Sequence, residues 1–510
     1  MGVRTGDGYE RLTAQDSTFV MFDGWKGHLN ICAVATFEAA PLRDSNGQLD
    51  LPRLRAYVGS RLHLMPHYRQ RLDVTPFQRH PIWVDDLNFD IAHHVRRAAL
   101  PAPGGARELQ ELVGRIASQP LDPARPLWEM WFVEGLAGDR AAWIAKVHHC
   151  MADGVSGVGA VMQLLSPRAE AHFEAGPSWK PRPRPGLLRF LGDGLRDTAD
   201  LSLDTVRAVG SALLRPIATA ESLVQTTTAG FSTLQAGFTA PPASVLNQPT
   251  GTQRRVTWQL LDTAAVKDLR KRLDGTVNDV VLAVVAGALR RFLQQRREPT
   301  KGLDLRVIVP VDTRSGPVDL HVGNQVSAWF LSLPVGVADP RERFAAIRNQ
   351  TRALKRARAE RGVDLFLRFS DWSGSSRLPY WGVSLVNQLR PFNLIVTNVR
   401  GPEVPLYLLG ARLQEFHPFV PLFQNQTLAI ALLSYLGKIS VGVMGDWDRV
   451  PELDAFAGAI ATAFEELRGA AEAPAPARRP RARRQASGSG GMNSPQPESP
   501  RSGTWPPSAG

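Results

Sequence analysis

Cysteine is scarce: Cys32 and Cys150 alone among 510 residues cannot build a disulfide framework, so a reducing compartment is expected. No window approaches the ~20 consecutive apolar residues that a membrane-spanning helix needs. The longest apolar runs, Val280–Leu289 and Leu428–Gly437, are too short for that and read as buried core. Met1 to Tyr9 hold no apolar stretch, so no secretory signal is expected, and Gly6 stands where a myristoylation site needs Ser or Thr. A Gly-x-Ser-x-Gly elbow is missing, which leaves a serine hydrolase without its nucleophile turn. Walker A, Gly-x-Gly-x-x-Gly and His-Glu-x-x-His patterns are missing too, so neither a nucleotide cofactor nor a zinc-peptidase site has support. Acidic residues fall short of basic ones, 48 against 60, for a net charge of +12. Six arginines beyond residue 470 face only Glu472 and Glu498, so the last forty residues carry +4 and the rest +8. That balance favours an anionic partner such as a lipid surface or an acidic ligand. The tail has Trp505 as its one aromatic, and without aromatic interleaving no specific nucleic-acid partner is expected.

What is present divides into four stretches. Residues 1–165 alternate short apolar runs with polar turns: Asn30–Phe37 and Ala141–Val147 read as strands, Leu51–Leu64 and Arg107–Gln119 as helices. Residues 166–252 open with Pro177, Pro181, Pro183 and Pro185 and close near Pro241, Pro242 and Pro249, with helical periodicity between, and read as a long helical crossover. Its basic stretch Arg182–Arg196 suits either an anionic lipid surface or docking on its own domain. Residues 253–468 mix strands again (Arg306–Val311, Ser327–Leu333, Asn393–Asn398, Leu428–Ser434, Ile439–Met444) with helices at Val277–Phe292 and Arg341–Ala357. Residues 469–510, rich in Pro, Arg, Ser and Gly, have almost nothing to bury and are expected to be disordered. The fold class is α/β: two mixed units joined by a long crossover.

The sharpest pattern is Lys146-Val147-His148-His149-Cys150-Met151-Ala152-Asp153-Gly154, a strand-like run into two histidines and a turn, with helical spacing over Val155–Leu165. A neutral imidazole, with an ordinary pKa of about 6.5, suits removal of a hydroxyl proton near neutrality. An Asp followed by Gly can organise the loop that holds such a ring. A metal role for the two histidines lacks a third ligand cluster, and His93-His94, with no Asp-Gly after it, reads as structural. Cys150 beside His149 is not expected to be a nucleophile, since neighbours on a strand face opposite ways.

His-His-x-x-x-Asp-Gly resembles the signature shared by wax ester synthase/diacylglycerol acyltransferases, peptide-synthetase condensation domains and related CoA-dependent acyltransferases. Further runs are similar to the first of these: Leu12-Thr13-Ala14-Gln15-Asp16, Pro81-Ile82-Trp83-Val84-Asp85-Asp86, Arg125-Pro126-Leu127-Trp128-Glu129, Val277-Asn278-Asp279-Val280, Pro310-Val311-Asp312-Thr313-Arg314, Gly323-Asn324-Gln325-Val326-Ser327 and Asn398-Val399-Arg400-Gly401-Pro402. The likeness spans about Leu12 to Leu467. Arg400 departs from a second proline, and Gly27-His28 and Asn425-Gln426 also differ from the family's pattern.

The resemblance implies two chloramphenicol-acetyltransferase-like domains with a tunnel between them reaching the histidine. It implies His149 as general base, His148 shaping the site, and Asp153 with Gly154 holding the loop. The reaction implied is transfer of a long-chain acyl group from acyl-CoA to a hydroxyl. Diacylglycerol, giving triacylglycerol, is the first acceptor and a long-chain alcohol, giving a wax ester, the second. Acyl-CoA enters as substrate, and no metal or redox cofactor is expected. Trp128 and Glu129 are candidate substrate contacts or else packing and a structural charge; Asn278 and Asp279 face the site or else cap a helix. The expected location is cytoplasmic, peripheral to the inner face of the membrane or to lipid droplets. The rival readings are a condensation-type transferase using carrier-bound substrates and a non-catalytic lipid-surface scaffold.

Overall fold

The computed structural model describes residues 5–6, 8–23, 28–76, 79–151, 161–192, 241–312, 326–357 and 392–473. Its strands are β1 (Thr5–Gly6), β2 (Tyr9–Arg11), β3 (Asn30–Glu38), β4 (Gln70–Val74), β5 (Pro81–Asp85), β6 (Val95–Ala99), β7 (Trp128–Leu136), β8 (Arg140–His148), β9 (Arg254–Asp262), β10 (Leu305–Asp312), β11 (Val326–Leu333), β12 (Leu394–Arg400), β13 (Tyr407–Leu408), β14 (Ala411–Phe419), β15 (Leu428–Tyr435) and β16 (Lys438–Asp446). The helices are α1 (Ala14–Asp23), α2 (Leu51–Arg61), α3 (Ile91–His94), α4 (Ala106–Ser118), α5 (Thr263–Arg272), α6 (Val277–Gln295), α7 (Pro340–Ala357) and α8 (Leu453–Glu472).

Among the described residues these strands form a six-stranded sheet β13-β14-β3-β8-β7-β6, a second of order β11-β10-β12-β15-β16-β9, and a small one of order β1-β2-β5-β4. The strands expected from apolar runs are present, each a residue or two longer at one or both ends, except that β12 begins at Leu394 and not at Asn393. The expected helix over 51–64 is α-helical only to Arg61, and Leu62–Leu64 tighten into a 3-10 turn. Pro66 explains the break, because the residue before a proline is pushed out of the helical region. β15, central in the second sheet, is buried on both faces, as its unbroken apolar run predicts. Of the crossover, residues 166–186 and 241–252 contain no helix and 187–192 form a short one; the rest lies outside the described residues. So does the tail beyond residue 473, although α8 continues through Glu472, past the expected start of the tail at 469.

α6 is apolar nearly all round and is buried with α8 against the second sheet, in a core that includes Val284, Phe292, Leu432, Val441 and Phe456. α4 presents Leu109, Leu112, Val113 and Ile116 at helical spacing to the other sheet. That same helix touches β9: the Arg254 N–H donates to Ser118 Oγ at 2.8 Å, and a Cβ on Gly114 would press on the Arg254 carbonyl.

β14 belongs to the C-terminal half of the chain yet lies in the first sheet, antiparallel to β3 from Leu413 opposite Phe37 to Phe419 opposite Cys32. Its Pro418 oxygen approaches β16 so closely that only glycine fits at Gly442. His417, on the same strand, stacks on Trp258 of β9 at 4.4 Å and hydrogen-bonds Ser440 Oγ of β16 at 2.8 Å. The two large sheets are thus joined by a strand as well as by packing.

Candidate active site

The pairing of β8 with β3 sets the histidines. Asn30 stands opposite His148, and the ladder continues one residue further because the His149 N–H donates to the Leu29 oxygen at 2.8 Å. Strand alternation therefore persists through His149. Lys146, His148 and Cys150 are buried, whereas Ala145, Val147 and His149, which alternate with them, are partly exposed.

His148 is 2% exposed, with Nδ1 hydrogen-bonded and Nε2 turned towards a carboxylate. Nδ1 accepts the Cys150 N–H at 3.2 Å, with the Cys150 sulfur 3.0 Å away, so the ring proton resides on Nε2. Nε2 faces Asp23 Oδ2 at 3.6 Å. Asp23 Oδ1 in turn accepts the Leu29 N–H at 2.9 Å. Burial pushes the Asp23 carboxyl up, but His148 and the Leu29 N–H outweigh it and hold the group below its ordinary value. Cys150 is buried and its thiol is pushed well up by that burial, with Asp16 and Asp23 adding to it, so it stays protonated. Its side-chain contact given among the described residues is with His148.

His149 has a different setting: its ring lies on the Phe19 ring at 3.9 Å between centroids and 26° between planes. Phe19 and Asp23 both come from α1, whose start is fixed by Thr13. The Thr13 hydroxyl donates to Asp16 Oδ2 at 2.7 Å and accepts the Asp16 N–H at 3.1 Å. These two contacts were not anticipated from the sequence. The i, i+4 spacing of Phe19 and Asp23 behind a capping Thr-x-x-Asp was the available signal. Asp153 and Gly154, expected to hold the loop, lie outside the described residues, as does most of Val155–Leu165.

Trp128 opens β7 beside these groups. Its indole N–H donates to the Tyr68 oxygen at 2.8 Å, and its ring stacks on His94 at 4.5 Å. His94 Nδ1 contacts the Trp128 oxygen at 2.8 Å, and burial lowers the pKa of its imidazole, which fits the structural role expected of His93-His94. Glu129 is ion-paired with Lys146 Nζ at 3.2 Å and with Arg96 at 3.3 Å. Lys146 is fully buried and also caps the α4 carbonyls of Ile116 and Gln119. Asp279 forms a capping box with Thr276 and accepts the Thr351 hydroxyl at 2.7 Å, so both its oxygens serve the fold. Asn278 is partly exposed next to it. Among the described residues no three His, Cys, Asp or Glu side chains gather into a metal-binding group.

A cavity of about 70 Å³, mainly apolar, lies beside β8. Trp128, Ala145 and Val147 of the first sheet meet Thr397 and Leu433 of the second around it. This is a partly open, mainly apolar space at the junction of the two sheets, next in line to a buried and a partly exposed histidine.

Comparison with known proteins agrees with this architecture. Residues 12–281 match the wax ester synthase/diacylglycerol acyltransferase catalytic domain, and residues 322–468 match the C-terminal domain of the same family. A putative diacylglycerol O-acyltransferase of Mycobacterium tuberculosis is 35% identical over 477 residues, covering 90% of each chain. A probable diacylglycerol O-acyltransferase of the same organism is 31% identical over 466 residues, covering 89% of this chain and 95% of the relative. The solved wax ester synthase/diacylglycerol acyltransferase of Marinobacter aquaeolei VT8 superposes with a TM-score of 0.63 at 25% identity, covering 90% of this chain and 99% of that one. The starter condensation domain of rhizomide synthetase, at 12% identity and a TM-score of 0.57, shares the two-domain chloramphenicol-acetyltransferase-like fold. The chain therefore belongs to the wax ester synthase/diacylglycerol acyltransferase family and is an acyltransferase.

Proposed function

We propose that this acyltransferase moves a long-chain acyl group from acyl-CoA to the hydroxyl of diacylglycerol, giving triacylglycerol, with a long-chain alcohol as second acceptor. His149 is the general base. It takes the hydroxyl proton as the oxygen attacks the thioester carbonyl. The tetrahedral intermediate collapses, the C–S bond breaks, and the departing CoA thiolate takes the proton from the His149 imidazolium. Acyl-CoA is consumed as a substrate, and every proton in the cycle is accounted for by the imidazole and the thiolate.

The observation that carries this reading is the contrast between the two imidazoles. His148 is buried, with Nδ1 committed to the Cys150 N–H and Nε2 turned to Asp23. His149 is partly exposed, on the strand face that bears the apolar cavity. In this reading His148 and Asp23 position the strand end, Asp153 and Gly154 hold the following loop, and Trp128 lines the acyl path. Glu129 holds Lys146, Asp279 fixes the start of α6, and Asn278 is the candidate contact there. The names of the mycobacterial relatives favour diacylglycerol as first acceptor.

Peripheral contact with a membrane or lipid droplet is part of the proposal. Among the described residues no helix is long and apolar enough to cross a membrane. Leu187, Leu188 and Leu191, at 54%, 85% and 39% exposure, form an apolar patch beside Arg189 on the crossover. Arg182 and Arg184 of the same stretch are paired with Asp85 and Asp73, and Phe190 packs on Tyr9, so this part of the crossover is docked while its leucines face outward.

The test is CoA release from palmitoyl-CoA with dioleoylglycerol or hexadecanol, comparing wild type with His149→Ala. Acceptor-dependent release that disappears in the variant supports the assignment. Folded wild type that releases no CoA with either acceptor overturns it and shifts weight to a carrier-bound donor.

A further inference from the structure

The apolar cavity has layers that can be counted from strand register. In the outermost layer Val147 of β8 stands between Ile31 of β3 and Trp128 of β7, and all three line the space. One step inward Ala145 stands between Ala33 and Met130, and again all three line it. At the next step Trp143 stands between Ala35 and Phe132, and only Trp143 touches the cavity.

On β3 and β8 exposure follows the same steps, whereas Trp128, Met130 and Phe132 of β7 are buried in every layer. Ile31, Ala33, Ala145 and Val147 are partly exposed although they lie inside the core, whereas Ala35 and Trp143 are 1% and 2% exposed. The two alanines leave the room, and the indole ends it.

From these layers we infer that Trp143 is the end stop that limits acyl-chain length, and that Ala33 and Ala145 keep the path above it open. The inference rests on the proposed transfer from acyl-CoA. His149, one residue past the end of β8, and Trp143 are six residues apart, which at a strand's rise is roughly 20 Å. An extended palmitoyl chain has about this reach, so its methyl end arrives at the indole when its thioester is at the imidazole. The stop is rigid because Trp143 is stacked between Phe37 and Phe132, with centroids at 6.5 and 6.3 Å. Its indole N–H has no hydrogen-bond partner among the described residues. Replacing it with Phe therefore removes volume without stranding a polar partner, which makes Trp143→Phe a clean change of depth.

The test measures both binding and turnover for saturated acyl-CoAs from eight to twenty carbons, with dioleoylglycerol as fixed acceptor. Binding is read by calorimetry, turnover by CoA release, and folding by thermal melting. Trp143→Phe is expected to move the optimum to longer chains. Ala145→Leu, which fills the middle layer, is expected to lower the ratio of kcat/KM for the sixteen-carbon over the eight-carbon donor at least tenfold. The pair covers the case in which one variant fails to fold. Folded variants whose binding and turnover profiles match wild type overturn the inference and leave the proposed function standing. Profiles that shift in binding while no protein turns over support the end stop and overturn the function. A wild type that binds none of the series overturns both.

Discussion

Phe19 and Asp23 stand one helical turn apart on α1, and each addresses a different histidine: Phe19 stacks on His149, and Asp23 faces Nε2 of His148. One short helix thus sets the two rings independently. Removing His149 should strip away the proton transfer and the ring contact with Phe19 while emptying no fully buried site. His149→Ala is expected to lower kcat by about 10²–10⁴-fold with little change in melting temperature. His148→Ala, which empties a buried site, should lower melting temperature as well as rate. Parallel melting curves and CoA-release rates check the distinction.

Asp23→Asn keeps the shape of the α1 contact and removes its charge. The wild-type carboxyl has a folded-state pKa below its ordinary value of 3.8. It therefore contributes stability above that ordinary value, and the contribution is lost as pH falls through the lower folded value. The melting-temperature gap between wild type and Asp23→Asn should be steady near neutrality and close at strongly acid pH. At neutral pH the variant should also lose activity, because His148 is no longer held from its Nε2 side.

Lys146 and Glu129 form a pair with almost no access to water. Glu129→Gln leaves the ammonium buried without its carboxylate and should destabilise by roughly 3–5 kcal/mol. The double change Glu129→Gln with Lys146→Met removes the orphaned charge and should recover part of the loss. Chemical denaturation of the three proteins measures both effects. A double variant no more stable than the single one would refute the pairing as the cause.

His417 lies where β14 meets β9 and β16, facing Ser440, Glu415 and the Trp258 ring. Burial lowers its pKa from the ordinary 6.5, opposed by Glu415. The unfolded chain takes up a proton that the folded one refuses, so stability is full above about 6.5 and declines as pH falls towards the folded value. His417→Gln should flatten that decline, and melting temperatures between pH 7 and 5 compare the slopes.

Leu187→Ser with Leu188→Ser should weaken sedimentation with anionic vesicles while leaving turnover of a detergent-dispersed acceptor intact. Unaltered sedimentation would remove this patch from the proposed surface contact.

Much of the architecture was legible because local pattern and burial agree. The apolar run at Leu428–Gly437 became a strand buried on both faces, and the helical spacing at Val277–Phe292 became α6. β14 was not legible: Ala411–Phe419 mixes Arg, Glu, His and Pro, and Pro418 reads as a break. The strand tolerates that proline because its outer neighbour β13 pairs only with Ala411 and Arg412, so the ring sits on an effectively open edge. For the site, the histidines were visible from His-His-x-x-x-Asp-Gly. Their partners on α1 were not, because nothing in local spacing says which sheet a helix will cover.

The placement of β14 has a consequence for how the chain matures. During synthesis, β3 emerges early, but the strand that covers its free edge emerges roughly 380 residues later, at the interval between Asn30 and Ala411. Until then the sheet bearing His148 and His149 has an unpaired edge beside an apolar face, an invitation to wrong partners. Cutting the gene after residue 252 would leave that edge permanently open, so the N-terminal half expressed alone should aggregate and regain solubility only when the C-terminal half is supplied with it.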